Sequence, residues 1–250
     1  MPDSIDEAMR LEFNRWAAAG RGHGMEQSHA SIGEQAIAAM HLEPGQRVLD
    51  LGCGNGWAVR RMAPLVAGPD PADPHSFGQV VGLDVSDEMI GEARELARDV
   101  DNALFILGSA HEIPWQENYF QKVLSVEAFY YYHDQPRALA EIMRVMGPRA
   151  GLYILINLYR ENPISLRWVE LLSVPVTVRS AEEYAELLRQ SGFEDVAWRQ
   201  VPDLSPTPES YSGRWFQSVE ELRECKRIGA LLLTGRKPEV ESPLRAIEEY

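Results

Sequence analysis

The sequence predicts an α/β fold organised on a doubly wound parallel sheet, and three observations carry that prediction. From residue 47 onward, short apolar runs of strand length alternate with stretches of helical periodicity. The first of those runs passes through a glycine-rich turn straight into a helix. No internal repeat at a period of about 20–50 residues, the mark of a solenoid, interrupts the alternation.

Two helices are expected first. Over residues 3–20, Ile5, Met9, Phe13 and Trp16 recur at three- and four-residue spacing, and over 28–40 Ile32, Ala36, Ile37 and Met40 share a face. Between them Gly20, Gly22 and Gly24 read as a flexible joint, and Pro44-Gly45 breaks the chain. A strand at 47–51, a helix at 57–66 and a strand at 80–84 follow, then a helix at 86–99 opened by Ser86 as N-cap. Strands are expected at 104–107 and 122–126, a helix at 135–146 stopped by Gly147-Pro148, and a strand at 152–158. A helix at 181–190 and strands at 193–199 and 228–236 complete the set. Segments 159–179 and 202–217 fall outside the alternation and begin after strand-like runs, on the side where open α/β sheets bind ligands. They are the expected substrate walls.

Composition excludes several classes. The formal charge is −14, the sequence pI is about 4.9, and the three lysines are Lys122, Lys226 and Lys237, which disfavours a nucleic-acid partner. The apolar run 151–159 is too short to span a bilayer, and the N-terminus has no signal-peptide pattern, so a soluble cytoplasmic protein is expected. Cys53 and Cys225 lack metal-ligand spacing and read as reduced thiols; no metal site is expected.

The informative stretch is Val48-Leu-Asp-Leu-Gly-Cys-Gly-Asn-Gly-Trp57. Gly52, Gly54 and Gly56 allow tight turning and close approach of a ligand, and the following helix start offers free N–H donors. Asp50 precedes the turn, and Asp84 closes the next strand, where a carboxylate can take both hydroxyls of a ribose. The spacing is not the dinucleotide pattern, whose third glycine falls at position 57, here Trp.

Asp50–Gly56, Gly82-Leu-Asp-Val-Ser86 and Gly108-Ser-Ala-His-Glu-Ile-Pro114 together resemble the ordered motifs of class I S-adenosylmethionine-dependent methyltransferases, most closely the small-molecule enzymes of the quinone-biosynthesis type. The resemblance covers residues 45–158, and the late segments up to Arg236 fit the family's final hairpin. It implies a Rossmann-like, mostly parallel seven-stranded sheet with an antiparallel last strand, S-adenosyl-L-methionine as cofactor, and a small-molecule acceptor. It further implies that Gly52, Gly54 and Gly56 shape the loop under the methionine moiety and that Asp50 orients it. Asp84 would hold the ribose, Val85 and Met89 would pack near the adenine, and Ala110 would offer it a backbone N–H. The family often has an acid where this chain has Ser109, whose hydroxyl can accept from the adenine amino group without charge assistance. Phe120-Gln-Lys122 also departs from the usual Phe-Asp before the fourth strand.

Methyl transfer needs an aligned nucleophile, exclusion of water and, for O or N nucleophiles, removal of a proton. The stretch Ser125-Val-Glu-Ala-Phe-Tyr-Tyr-Tyr-His133 ends the fourth strand, and Glu127, Tyr131 and His133 are the candidate catalytic groups, with simple packing of the tyrosines and capping by His133 as the plainer reading. The expected organisation is a helical cap at 1–40, a cofactor-binding body at 41–237 carrying loops 159–179 and 202–217, and an acidic tail at 238–250. Trp16 and Met25 could form an apolar lid, and His29 could face substrate, although surface exposure is the simpler expectation for His23 and His29. Trp168, Tyr211, Trp215 and Phe216 suit an aromatic acceptor, whereas Trp198 fits core packing equally well. Two alternatives stand beside the enzyme: a non-catalytic S-adenosylmethionine-binding sensor or complex subunit, and a nicotinamide-dependent oxidoreductase. An open acceptor pocket with a base separates the first; the glycine spacing and the lack of a Tyr-x-x-x-Lys argue against the second.

Overall fold

The computed structural model describes residues 5–68 and 77–239; most of the expected acidic tail lies outside them. Two N-terminal helices, α1 (Ile5–Ala18) and α2 (Arg21–Ala39), precede the alternating part. There β1 (Arg47–Leu51), α3 (Trp57–Val66), β2 (Gln79–Asp84), α4 (Asp87–Leu96) and β3 (Ala103–Leu107) build one half. The other half holds β4 (Phe120–Val126), α5 (Gln135–Val145), β5 (Met146–Ile156), the short α6 (Pro163–Leu166) and α7 (Ala181–Gln190). The chain ends through β6 (Glu194–Val201), α8 (Val219–Ile228) and β7 (Ala230–Arg236).

The strands form one seven-stranded sheet in the order β3-β2-β1-β4-β5-β7-β6. β7 runs antiparallel to both β5 and β6, and the other pairings are parallel. Central strands are apolar on both faces because helices cover both. Leu49, Leu51 and Val123 face Leu139, Ile142 and Tyr184 on one side. Val48, Val80 and Leu124 face Ile32, Met62 and Ile90 on the other. From β1 the chain runs outward to β2 and β3, then returns to place β4 on the opposite flank. That reversal opens a crevice at the carboxyl ends of β1 and β4, where open α/β sheets bind ligands.

Several boundaries differ from expectation. Helix α2 begins at Arg21 rather than Ser28, so Gly22 and Gly24 are helical and the break rests on Gly20, at φ 69°. A side chain at Gly22 would start 2.9 Å from the Glu92 carboxylate, so glycine permits the close approach to α4. Strand β4 starts at Phe120, so the departure at Gln121 does not shorten it. Strand β5 starts at Met146 and passes through Gly147-Pro148, with a bulge against β4 between Phe120 and Lys122. Helix α8 was not anticipated. Ser218 accepts from the Glu221 amide at its start, and Val219, Leu222 and Cys225 form its buried stripe. Trp198 is 44% exposed on the edge strand β6 and donates to Glu182, so it is not core. Among the described residues no helix is long and apolar enough to cross a membrane.

Candidate active site

The turn after β1 has Gly52, Gly54 and Gly56 all at positive φ, but each for a different reason. A Cβ at Gly52 would lie 2.4 Å from the Ala128 methyl, and one at Gly56 would lie 2.4 Å from the Phe105 ring. At Gly54 it would meet nothing within 4 Å among the described residues. Two of the glycines therefore permit packing, and Gly54 leaves open space for a ligand. The amides of Gly52 and Cys53 donate to the Leu83 carbonyl at 2.8 and 3.1 Å, tying the turn to β2.

Among the described residues Asp84 is held by backbone: its carboxylate accepts from the amides of Gly54 and Ser86, both at 2.9 Å. Burial raises its pKa, and those amide bonds oppose the shift. Asp50 is buried beneath the turn, and burial, then the nearby Asp84 charge, pushes it up to about 7. Among the described residues its Oδ2 has no hydrogen-bond partner, an unsatisfied acceptor at the base of an open turn. A positively charged amino group or an ordered water would satisfy it. That orphaned oxygen and the open space above Gly54 fit an S-adenosylmethionine-like ligand.

A cavity of about 740 Å³ extends from this turn. Gly52, Gly54, Asp84, Val85, Met89, Ser109 and Ala110 line it; Asp50 and Gly56 lie behind its surface. On the β4 side it is lined by Glu127, Tyr130 and Tyr131. Glu127 is a non-glycine residue at φ 55°, an uncommon conformation for a side chain of this size. Its carboxyl group accepts from the Tyr130 hydroxyl at 3.0 Å and the Asn157 amide at 2.5 Å, and burial pushes it up to about 7. Tyr130 was not singled out in the sequence; the 3-10 turn Phe129–Tyr131 carries it onto Glu127.

The same turn carries His133 out of the chamber. It is exposed, does not line the cavity, and sits 3.2 Å from Asp6 with its ring 4.0 Å from that of His111. His29, in contrast, lines the cavity, and burial drives it down to about 4, so its imidazole is neutral at physiological pH. His23 is exposed, as expected.

The remaining walls come from distant parts of the chain. Helix α1 contributes Met9, Phe13 and Trp16, with Phe13 edge-on to Tyr131 at 5.1 Å. Its Arg10 and Asn14 donate to Asp87 at 2.7 and 2.8 Å, and Ser86 donates to Asn14 at 2.6 Å. Segment 159–179 contributes Trp168 and Leu172, and segment 202–217 contributes Trp215 and Phe216. The Trp168 indole donates to the Trp215 carbonyl at 3.0 Å, joining the two segments. Segment 202–217 is also tied to α2, where Gln35 donates to the Pro202 carbonyl and the Leu204 amide to Ser31, both at 2.9 Å.

Comparison with known proteins accords with this geometry. A family model described as "Methyltransferase domain" matches residues 42–202. The chain is similar to 27-O-demethylrifamycin SV methyltransferase of Amycolatopsis mediterranei, 25% identical with 86% of each chain covered. It is also similar to the 2-phytyl-1,4-naphtoquinone methyltransferase of a Nostoc species, 28% identical over 70% of this chain and 73% of that one. Among solved structures it superposes on a chain from the Haloferax volcanii complex between the Trm112 methyltransferase activator and a methyltransferase. There the TM-score is 0.81 and the identity 34%, over 91% of this chain and 98% of that one.

Proposed function

The chain belongs to the methyltransferase-domain family and uses S-adenosylmethionine as methyl donor, and from that premise we propose that it methylates a hydroxyl group on a small, largely aromatic acceptor. The observation that carries the acceptor class is the pairing of Glu127 and Tyr130 with an aromatic enclosure of Phe13, Trp16, Tyr131, Trp168 and Trp215. Bound S-adenosylmethionine supplies an activated methyl group. Gly54 and Asp84 would hold it on one side, and Asp50 would complete its polar contacts from below. The aromatic side chains orient the acceptor and exclude water. Glu127 accepts the hydroxyl proton, with Tyr130 fixing the carboxyl group. Its pKa of about 7 matches that task near neutral pH.

An open chamber with a carboxyl group on its wall separates this reading from a non-catalytic binder. The formal charge of −14 favours an uncharged acceptor over a polyanion, and the site of action is the cytoplasm. Helix α1 serves as a cap over the acceptor, joined at Gly20 to α2, whose Ile32, Ala36 and Ile37 pack in the core. The relatives support an oxygen or quinone-ring acceptor, since their names describe a rifamycin 27-O-position and a naphthoquinone. Methyl release measured across a panel of phenols, quinols, aliphatic alcohols and amines tests the proposal. Turnover concentrated in phenols or quinols is expected. Turnover of amines alone would overturn it.

The Haloferax relative also suggests a protein partner, an activator of the Trm112 kind. Strand β3 is an open sheet edge, and Leu104 and Leu107 are 39% and 50% exposed on it. Leu107→Glu should abolish co-purification with such an activator. Unchanged co-purification would place the partner elsewhere.

A further inference from the structure

We propose that Asp6, on α1, accepts the exocyclic amino group of the cofactor's adenine and so takes the role that Ser109 cannot fill. The inference rests on the cofactor reading above and adds a residue to it.

A hydroxyl group has one proton to donate and two lone pairs to accept with. At Ser109 all three are committed within the protein. Its Oγ donates to Asp6 Oδ2 at 2.8 Å and accepts from the His111 amide at 3.2 Å. The third contact is His111 Nδ1, at 3.1 Å. The Asp134 amide donates to His111 Nε2 at 3.3 Å, so that nitrogen is the acceptor of the ring. Burial, with the neighbouring His133 second, lowers the His111 pKa and keeps the ring neutral. Its single proton therefore resides on Nδ1, directed at Ser109 and Asp6. Ser109 has no lone pair left for an adenine amino group.

The carboxylate that lies beside it does. Asp6 Oδ2 takes one bond from Ser109, and Oδ1 lies 3.4 Å from His111 Nδ1 and 3.2 Å from His133 Nδ1. Each carboxylate oxygen has two acceptor sites, so Oδ2, with one bond from Ser109, keeps one free. Asp6 lines the cavity together with Ser109 and Ala110. It thus presents negative charge to the cavity beside Ser109 and Ala110, from α1 instead of from the strand-end loop.

The same atoms could suggest a metal, because Asp6, His111 and His133 each offer a ligand atom within 4.8 Å of the others. The proton on His111 Nδ1 argues against it: a protonated ring nitrogen has no lone pair for a cation, and moving that proton would break the bond from Asp134. An organic N–H donor fits the cluster as it stands.

The test uses two ligands that differ at one position. The 6-unsubstituted purine analogue of S-adenosylhomocysteine carries hydrogen where S-adenosylhomocysteine carries the amino group and keeps the N1 lone pair, so it lacks only the donor to the Asp6 carboxylate. By calorimetry the wild-type chain should prefer the adenosyl ligand by about tenfold or more. In Asp6→Ala the preference should collapse to about twofold or less, and adding Ser109→Asp to that variant should restore it. A ratio on one protein is insensitive to a loosened α1, which would weaken both ligands alike. Preservation of the wild-type ratio in Asp6→Ala overturns the proposal, as does a wild-type chain that does not discriminate. Failure of the wild-type chain to bind either ligand would instead overturn the cofactor reading on which it rests.

Discussion

The floor of the chamber and its roof are built by different means. The floor is made of strand ends and their turns, and its polar contacts run through the backbone: Gly54 and Ser86 amides to Asp84, Gly52 and Cys53 amides to Leu83. The roof is assembled from α1, 159–179 and 202–217, and its contacts run through side chains from segments far apart in sequence. Ser173 on Glu12 and Trp168 on the Trp215 carbonyl are examples. Backbone contacts survive most substitutions, whereas each side-chain contact depends on one residue type. A fixed cofactor beneath an adjustable acceptor wall follows from that difference. Chemistry is expected where the two meet, at Glu127.

The largest effect should therefore come from Glu127→Gln. It keeps the size of the side chain and removes its basicity, so kcat should fall by about 10²–10⁴-fold with cofactor affinity unchanged. The wild-type rate should rise with pH through about 7 as the carboxyl group ionises. Stability should show the opposite slope. The folded pKa is raised above that of the unfolded chain, so Glu127 favours the folded state below about pH 4.5, and that contribution is lost as the pH rises through 7. On the order of 3 kcal/mol is at stake, so thermal melts should show wild type losing stability relative to Glu127→Gln between pH 5 and 8. Full turnover in the variant would remove the base from the mechanism and leave the floor and roof with nothing between them.

A smaller effect, confined to the floor, is expected from Asp84→Ala. Loss of charge-assisted hydrogen bonds to the cofactor should weaken S-adenosylhomocysteine by about tenfold or more in calorimetry. The acceptor KM should move little at saturating cofactor. A variant with unchanged cofactor affinity and a raised acceptor KM would reverse the assignment of the two regions.

The contrast also explains what the sequence could show. Gly52, Gly54, Gly56, Asp50 and Asp84 were legible because a backbone-built turn demands particular residue types at fixed spacing. The division of labour among the glycines was not legible, because Ala128, in the turn after β4, and Phe105, on β3, crowd Gly52 and Gly56 from distant parts of the chain. His133 has the side-chain chemistry of a base, but the 3-10 turn before it directs it away from the cavity. Tyr130 was hidden for the same reason: adjacent tyrosines look alike until the turn assigns them faces. Helix α8 had a visible start, Ser218 with Glu221 three residues on, but its many charges masked the stripe of Val219, Leu222 and Cys225. The saturation of Ser109 needed Asp6, over a hundred positions away, to be placed beside it.

The smallest effect should come from Asn14→Ala, which tests the seam between roof and floor. Asn14 accepts from Ser86 and donates to Asp87, so it fastens α1 to the start of α4, two residues from Asp84. Ser86 keeps its own bond to the Met89 amide as N-cap, and its amide keeps Asp84 in place. The floor should therefore hold when the fastening is cut. What changes is the freedom of α1, which carries Phe13 and Trp16 into the chamber. Arg10 still pairs with Asp87, so α1 should loosen without detaching. Acceptor KM should rise by about two- to fivefold, with kcat and S-adenosylhomocysteine affinity within about twofold of wild type, since the bonds lost, to the Ser86 hydroxyl and the exposed Asp87 carboxylate, are together worth roughly 2 kcal/mol, of which only part reaches the acceptor wall. Amide exchange in residues 5–18 should quicken in the same variant. If cofactor affinity fell and acceptor KM stayed constant, Asn14 would belong to the floor, and α1 would act on the chemistry through Asp84 instead of through the acceptor.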